Sequence, residues 1–265
     1  MPLLVDTHLH IYPCYNVERA LGVLIARLNH LAAGIAGEVT GIACLTERAD
    51  CNFFVDAVDG RIDSGSITLE ASESGDSLSA TARDGMSCTL LPGRQIVTRE
   101  RLEVLALTKN LQVADGQPIV DVIQSVVDQN AVPVVPWSPG KWMFGRGAVV
   151  REIPDWFGAD QVCFGDTSLR PQGWPNPAGI RKARRKRHLV VAGSDPLPFA
   201  GEEAQMARYL TLIRKDGDGE TVGDRLRAAL LDPGTTCEFV GRRGSVFTVA
   251  RRWLANQVVR SANVS

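Results

Sequence analysis

No two cysteines of this 265-residue chain stand in a CxxC arrangement; the six, at positions 14, 44, 51, 88, 163 and 237, are scattered singly. That excludes a CxxC redox or zinc motif and fits reduced, mostly buried thiols, so a cytoplasmic location is expected. No apolar run approaches the roughly 18 residues needed to span a bilayer. The first residues lack a basic segment followed by an apolar core, and no secretory leader is expected. A dominant charge is missing too: 29 Lys and Arg against 30 Asp and Glu leave a formal net charge of -1. A field that weak argues for neither a polyanionic nor a membrane partner.

What the chain does have is an α/β rhythm. The stretch "LLVDTHLHIYPCY" (3–15) opens with a short buried strand, Leu3 to Val5. Apolar residues at Val17, Leu21, Leu24, Leu28 and Leu31 then follow helical spacing, closed by Gly34 and Gly37. "TGIACLT" (40–46) reads as a second strand, and strand–helix–strand at this length predicts a parallel sheet. Residues 61–93 are rich in Ser, Thr, Gly and Asp, with alternating runs and an "SGD" turn at 74–76; they predict an antiparallel excursion. Strands are predicted again at "RLEVLAL", "AVPVVPW" (131–137), "DQVCFGD" (160–166) and "HLVVAGSD" (188–195). A helical stripe from Ile119 to Val127 and a helix rich in Arg and Lys lie between them. After Pro198, helices are predicted at about 202–214, 221–231 and 246–258.

Parallel α/β sheets and barrels build their sites just beyond the C-terminal ends of strands. The residues there are Asp6, His8 and His10; Glu47 and Arg48; Trp137 with Lys141; Asp166 and Arg170; and Asp195. HxH on an extended segment puts both imidazoles on one side. A lone HxH is commonly only a hydrogen-bonded or surface pair. Its place after the first strand, matched by Asp195 after a late one, points instead to a metal site, and two imidazoles with a carboxylate suit Zn, Mn or Fe.

At these positions the sequence resembles the polymerase and histidinol phosphatase (PHP) superfamily of metal-dependent phosphoesterases, and more distantly the amidohydrolases. "VDTHLH" resembles the superfamily's opening HxH, "LLPGRQIVTRERLEVLAL" its third and fourth strands, and "VVAGSDPLP" its late Gly-Ser-Asp-x-His. The likeness covers about residues 1–200. It implies a distorted (β/α)7 TIM-like barrel, here with the excursion at about 61–93 and a C-terminal helical extension at about 201–265, in a single domain.

The departures are as informative. Glu47 and Arg48 stand where the resemblance implies Asp and His, Gln95 where it implies Glu, Pro136-Trp137-Ser138 where it implies a histidine, and Leu197 where it implies the last one. The chain's other two histidines, His30 and His188, are expected to be structural. A full trinuclear centre is therefore excluded, and one divalent ion (Zn, Mn or Fe) on His8, His10 and Asp195, with Glu47 as a fourth ligand, is the expected cofactor. Arg48, Arg94, Lys141 and Arg170 would face an anion from strand ends or adjoining loops. Arg48 and Lys141 are the candidates to steady charge on a phosphoryl group.

The implied function is a metal-dependent phosphoesterase acting on a small anionic or phosphorylated ligand. The alternative is a non-catalytic binding or scaffold protein that recognises an anion. "RKARRKRH" (181–188) invites a nucleic-acid reading, but basic residues at a helix C-terminus complement the macrodipole, and nucleic acid is not expected. Cys14 and the tryptophans at 137, 142, 156 and 174 are read as ordinary packing or rim residues.

Overall fold

A computed structural model describes residues 1–262. The chain opens with β1 (Leu3–Leu9), α1 (Val17–Ala32), β2 (Thr40–Leu45) and α2 (Phe53–Val58). An excursion through β3 (Thr68–Ala71) and β4 (Leu78–Thr81) returns by β5 (Ser87–Leu91) to β6 (Gly93–Val97) and β7 (Glu103–Leu107). Helix and strand then alternate: α3 (Ile119–Asp128), β8 (Val132–Pro136), α4 (Phe144–Trp156), β9 (Cys163–Thr167), α5 (Ala178–Arg185) and β10 (Val190–Gly193). Finally come β11 (Tyr209–Ile213), α6 (Val222–Leu231), β12 (Cys237–Gly241) and α7 (Val246–Ala262).

Local chemistry accounts for most of these elements. Asn16 caps α1, its side chain accepting from Arg19 N at 2.8 Å, and Ala20, Leu21, Leu24, Ile25 and Leu28 form the buried stripe beyond. The excursion turns at Gly75, whose φ of 68° suits glycine, and Ser72 Oγ accepts from Ser77 N across the same turn.

The strands form two mixed sheets, ordered β12-β11-β1-β2-β5-β4-β3 and β10-β9-β8-β7-β6. This corrects the expected (β/α)7 barrel, because no continuous ladder closes among the described residues. The reason lies in strand edges. A strand has two, and those of β1 are taken by β2, in parallel, and by β11, antiparallel. β10 therefore stays an edge strand beside β1, and β6, folded back antiparallel on β7, ends the same sheet on its other side. At their margins the sheets meet through a lone Glu47–Arg94 bridge and a 2.8 Å bond from Asp195 N to His8 O.

Between the sheets lies one core, with Leu3, Val5, Leu105, Leu107, Val132 and Val134 among its members. Outside them lie two more: Leu4, Leu21, Leu24 and Leu90 on one face, and Val104, Ala106, Val135 and Phe164 on the other. Successive residues of β1 and β7 thus go to opposite cores, as the two-residue period of a strand requires. That is why apolar runs, rather than alternation, mark these strands.

The predicted helix at 202–214 is not formed. A 3-10 turn at Glu202–Gln205 leads into β11, which pairs Leu3 with Ile213 and Val5 with Thr211. "YLTLI" is buried along its whole length, and such a run carries no period to separate strand from helix. The expected C-terminal helical extension accordingly contains two strands. Two helices, the short α2 and the 13-residue α4, are not predicted from the sequence; α4 carries an internal proline, Pro154, and little amphipathic pattern.

Gly193 permits the contact on which the strand ends rely. A Cβ there would meet His8 Cβ at 2.4 Å and His8 N at 2.5 Å. Gly193→Ala is expected to cost about 2–3 kcal/mol through overpacking against backbone that cannot retreat, read as a lowered urea midpoint.

Candidate metal centre

His8 and His10 owe their direction to an irregularity in β1. Leu4 and Leu9 enter the same outer core although their numbers differ in parity, and the register shifts between Asp6 and Leu9. The shift flips the strand's sides, so His8 and His10 fall opposite Leu9 and Ile11, toward the space between the sheets. Both are buried. Asp195 follows β10 in a left-handed backbone conformation (φ 47°), which delivers its carboxylate to the same place.

His8 Nε2 lies 3.0 Å from His10 Nε2, 3.3 Å from Gln95 Oε1 and 3.5 Å from Asp195 Oδ1. His10 Nε2 is 3.9 Å from the same carboxylate oxygen. One proton on His8 Nε2 serves one of these neighbours, whereas a cation among them serves all. Ligand atoms on a tetrahedral ion with bonds of about 2.1 Å are about 3.4 Å apart, and the observed spacings straddle that. His8, His10 and Asp195 form the His, Cys, Asp or Glu group able to hold an ion among the described residues. Electrostatics agrees: burial, then the neighbouring His8 and Arg48, hold the His10 imidazole well below its ordinary pKa and leave it neutral with a lone pair. Burial pushes the Asp195 carboxyl up, against the pull of His8. One feature differs from well-supported metal sites: among the described residues neither His8 Nδ1 nor His10 Nδ1 has a hydrogen-bond partner to fix its ring.

The other sequence candidates divide. Glu47 is outside the group; its Oε1 accepts from Phe54 N at 3.1 Å, at the start of α2, and burial lifts its carboxyl to about 7. Asp6 binds backbone instead, accepting from Ser194 N at 2.9 Å, Ala207 N at 3.1 Å and the Ser194 hydroxyl. Arg94 is buried and donates to Cys51 O at 3.2 Å, and Arg170 is locked in a two-pronged pair with Asp166 at 2.7 and 2.6 Å. Neither of those two guanidiniums lines the cleft. Arg48 and Lys141 do line the cleft over the centre. Arg48 sits over the Tyr12 ring at 5.9 Å and pairs with Asp50 at 3.0 Å, while Lys141 is ion-paired with Glu103.

The basic residues on and just after α5 are largely engaged within the chain: Lys182 and Lys186 pair with Asp155, and Arg184 lies over Phe239. His30 is exposed on α1, and His188 Nδ1 bonds to Val162 O at 2.9 Å. All six cysteines are unpaired, and no described helix is long and apolar enough to cross a membrane.

Sequence reasoning missed three contributors. Glu103 was hidden inside "RLEVLAL", where an acid interrupting an apolar run was the available signal. Arg252 and Glu202 form a buried pair, Nε to Oε1 2.9 Å and a terminal nitrogen to Oε2 2.7 Å. Arg252 also donates to Ser168 Oγ at 3.0 Å and to the Asp195 carbonyl at 3.3 Å, tying α7 to the loop that carries Asp195. Leu197, where the resemblance implied a histidine, contributes backbone: its carbonyl accepts from the Tyr15 hydroxyl at 2.6 Å, and its N–H donates to Glu202 at 3.0 Å. Above the centre the cleft encloses about 1250 Å³, walled by Tyr12, Leu169, Lys141 and one face of α7.

No protein-family model matches the chain, and no curated protein matches it either. Solved structures do. PsfC from Pseudomonas syringae PB-5123 superposes with a TM-score of 0.58 at 16% identity, over 98% of both chains. PfuEndoQ, a lesion-specific endonuclease from Pyrococcus furiosus, superposes with a TM-score of 0.52 at 9% identity, over 91% of this chain and 59% of its own. The chain shares their fold.

Two outcomes follow. A buried carboxyl raised from 4.5 to about 7 favours the folded state while protonated; that stability is complete below pH about 4.5 and is lost as pH rises through about 7. Glu47→Gln, which keeps the acceptor for Phe54 N but cannot ionise, should therefore gain on wild type between about pH 5 and about pH 8 in urea unfolding. Arg252→Met, which strands the Glu202 carboxylate, should cost about 3 kcal/mol, and the double variant with Glu202→Met should recover most of it.

Proposed function

We propose that the protein is a metal-dependent hydrolase of phosphate esters, using one divalent ion (Zn, Mn or Fe) held by His8, His10 and Asp195. The observation that carries this reading is the convergence of two buried imidazoles and a buried carboxylate at ligand spacing, at the floor of a wide cleft. The shared fold with a lesion-specific endonuclease is compatible with phosphoester chemistry. A bound divalent ion supplies Lewis acidity toward a phosphoryl oxygen and acidifies water at neutral pH.

The chain's own residues complete the site in this reading. Neutral His10 offers a lone pair rather than a repelling charge. Gln95 Oε1 stands beside His8 as a neutral fourth donor, and its Nε2 donates to Glu103 at 3.3 Å, which fixes the amide's orientation. Lys141 and Arg48 receive the phosphoryl charge from the cleft wall, and Glu103 holds Lys141 in place. Set against the resemblance, Gln95 in place of Glu and three absent histidines remove ligands of further ions, so the two-metal clamp on attacking and leaving oxygens is given up and these cations take over part of its charge. A small anionic or phosphorylated molecule is the proposed ligand.

Elemental analysis of untagged protein tests this. About one equivalent of Zn, Mn or Fe is expected, lost in His8→Ala together with turnover of a phosphoester; Lys141→Met should retain metal while kcat falls roughly 100-fold. Unchanged turnover in metal-free His8→Ala would sink the reading. Absence of metal after incubation with each ion would favour an anion-binding protein without turnover.

A further inference from the structure

α7 is an unusual helix for its position. Its buried residues within the described side chains are Val249, Arg252 and Asn256, spaced three and four apart on one stripe. Only one of the three is apolar. Phe247, Leu254 and Val258 are exposed on other faces, so little apolar burial holds the helix, and the Arg252–Glu202 pair is its principal anchor.

Among the described residues, the side chains of two residues on the cleft-facing side, Trp253 and Asn256, have no hydrogen-bond or ion-pair partner. Trp253 lines the cleft and is 47% exposed, an indole that the fold covers only in part. Asn256 is 5% exposed, lines the same cleft, and its Oδ1 has no hydrogen-bond partner among the described residues. A buried amide left unpaired costs on the order of 1–3 kcal/mol, and such a group in a native fold calls for a partner from outside. The two lie three residues apart on a helix, so they project side by side. Arg252, next to Trp253 in sequence, grips the Asp195 carbonyl, which sets this stretch of α7 beside the metal end of the cleft. Pro139, Leu169 and Pro198 supply apolar surface elsewhere in its lining.

We infer that α7 is the substrate-recognition wall, and that the site takes organic phosphates whose leaving group carries a flat ring with a hydrogen-bonding edge. The ring lies against Trp253, and its edge pairs with the Asn256 amide, which offers both an acceptor and a donor. This rests on the phosphoesterase reading for the phosphate end alone; the ring end stands on α7. A cleft of about 1250 Å³ has room for such a group, whereas inorganic phosphate or a methyl ester would leave most of it empty.

Isothermal titration with non-hydrolysable phosphonates separates the two ends. Phenylphosphonate should bind wild type about tenfold more tightly than methylphosphonate. Trp253→Ala should bring that ratio near one without weakening methylphosphonate, and Trp253→Phe should retain most of it. A ring bearing an amide, 4-carbamoylphenylphosphonate, should gain roughly a further fivefold, lost in Asn256→Ala. Equal affinity for the phenyl and methyl probes, a preference that survives Trp253→Ala, or no binding of either probe would overturn the assignment. If His8→Ala leaves both affinities and their ratio unchanged, the metal reading fails while the α7 wall stands.

Discussion

How closely β10 can lie against the end of β1 decides whether this protein has a centre at all. The donors come from opposite ends of the fold, His8 and His10 from the first strand and Asp195 from just after the tenth. Their meeting requires two backbones at a separation no side chain tolerates, and Gly193 beside His8 is where that separation occurs. The bond from Asp195 N to His8 O then fixes the carboxylate's height, and Asp6 staples the same two segments through Ser194. Asp6 carries a cost for this: burial raises its carboxyl to about 6 despite four hydrogen bonds, from Ser194 N, the Ser194 hydroxyl, Ala207 N and His8 N, that favour its charged form. Four bonds to backbone and hydroxyl donors are what make a buried acid tolerable there.

Charge and hydrogen bonding, more than apolar burial, also hold the cleft's outer wall. An isolated buried ion pair is weak evidence of stability, because desolvation offsets the Coulomb attraction. The Arg252–Glu202 pair differs in being fully used: the guanidinium also serves Ser168 and the Asp195 carbonyl, and Glu202 also receives Leu197 N–H. Each polar group that the pair buries therefore has a partner, and directional bonds give α7 one defined seat over His8, His10 and Asp195. A helix seated by apolar contact alone would have more freedom to slide.

The architecture was legible up to the way the sheets end. Apolar runs located β1, β2, β7, β8, β9 and β10, and helical spacing located α1, α3, α6 and α7. The excursion's hairpin was legible from its turn chemistry at Gly75. Barrel closure was not legible, because it depends on which strand occupies the free edge of β1. That place went to β11, whose "YLTLI" has no period to betray it, and its arrival leaves β10 touching β1 through a few bonds rather than a ladder. α4 was missed for a related reason: weak amphipathicity and an internal proline give little local signal.

By itself the sequence determined the chemical inventory and its local aim. Only two histidines are spaced to share one side of a strand, one carboxylate follows a Gly-Ser turn late in the chain, and the whole chain holds only four histidines. Tertiary structure alone decided the selection among the remaining polar groups. Asp195 joins the histidines while Glu47 turns to a helix start; Arg94 and Arg170 are spent on carbonyls and an acid while Arg48 and Lys141 face the cleft; and α7 closes one side. Each of those outcomes is a contact between segments far apart in the chain, and the competition between partners that settles it exists only once both segments are folded. Local periodicity and propensity act over a few residues, so they carry no record of it.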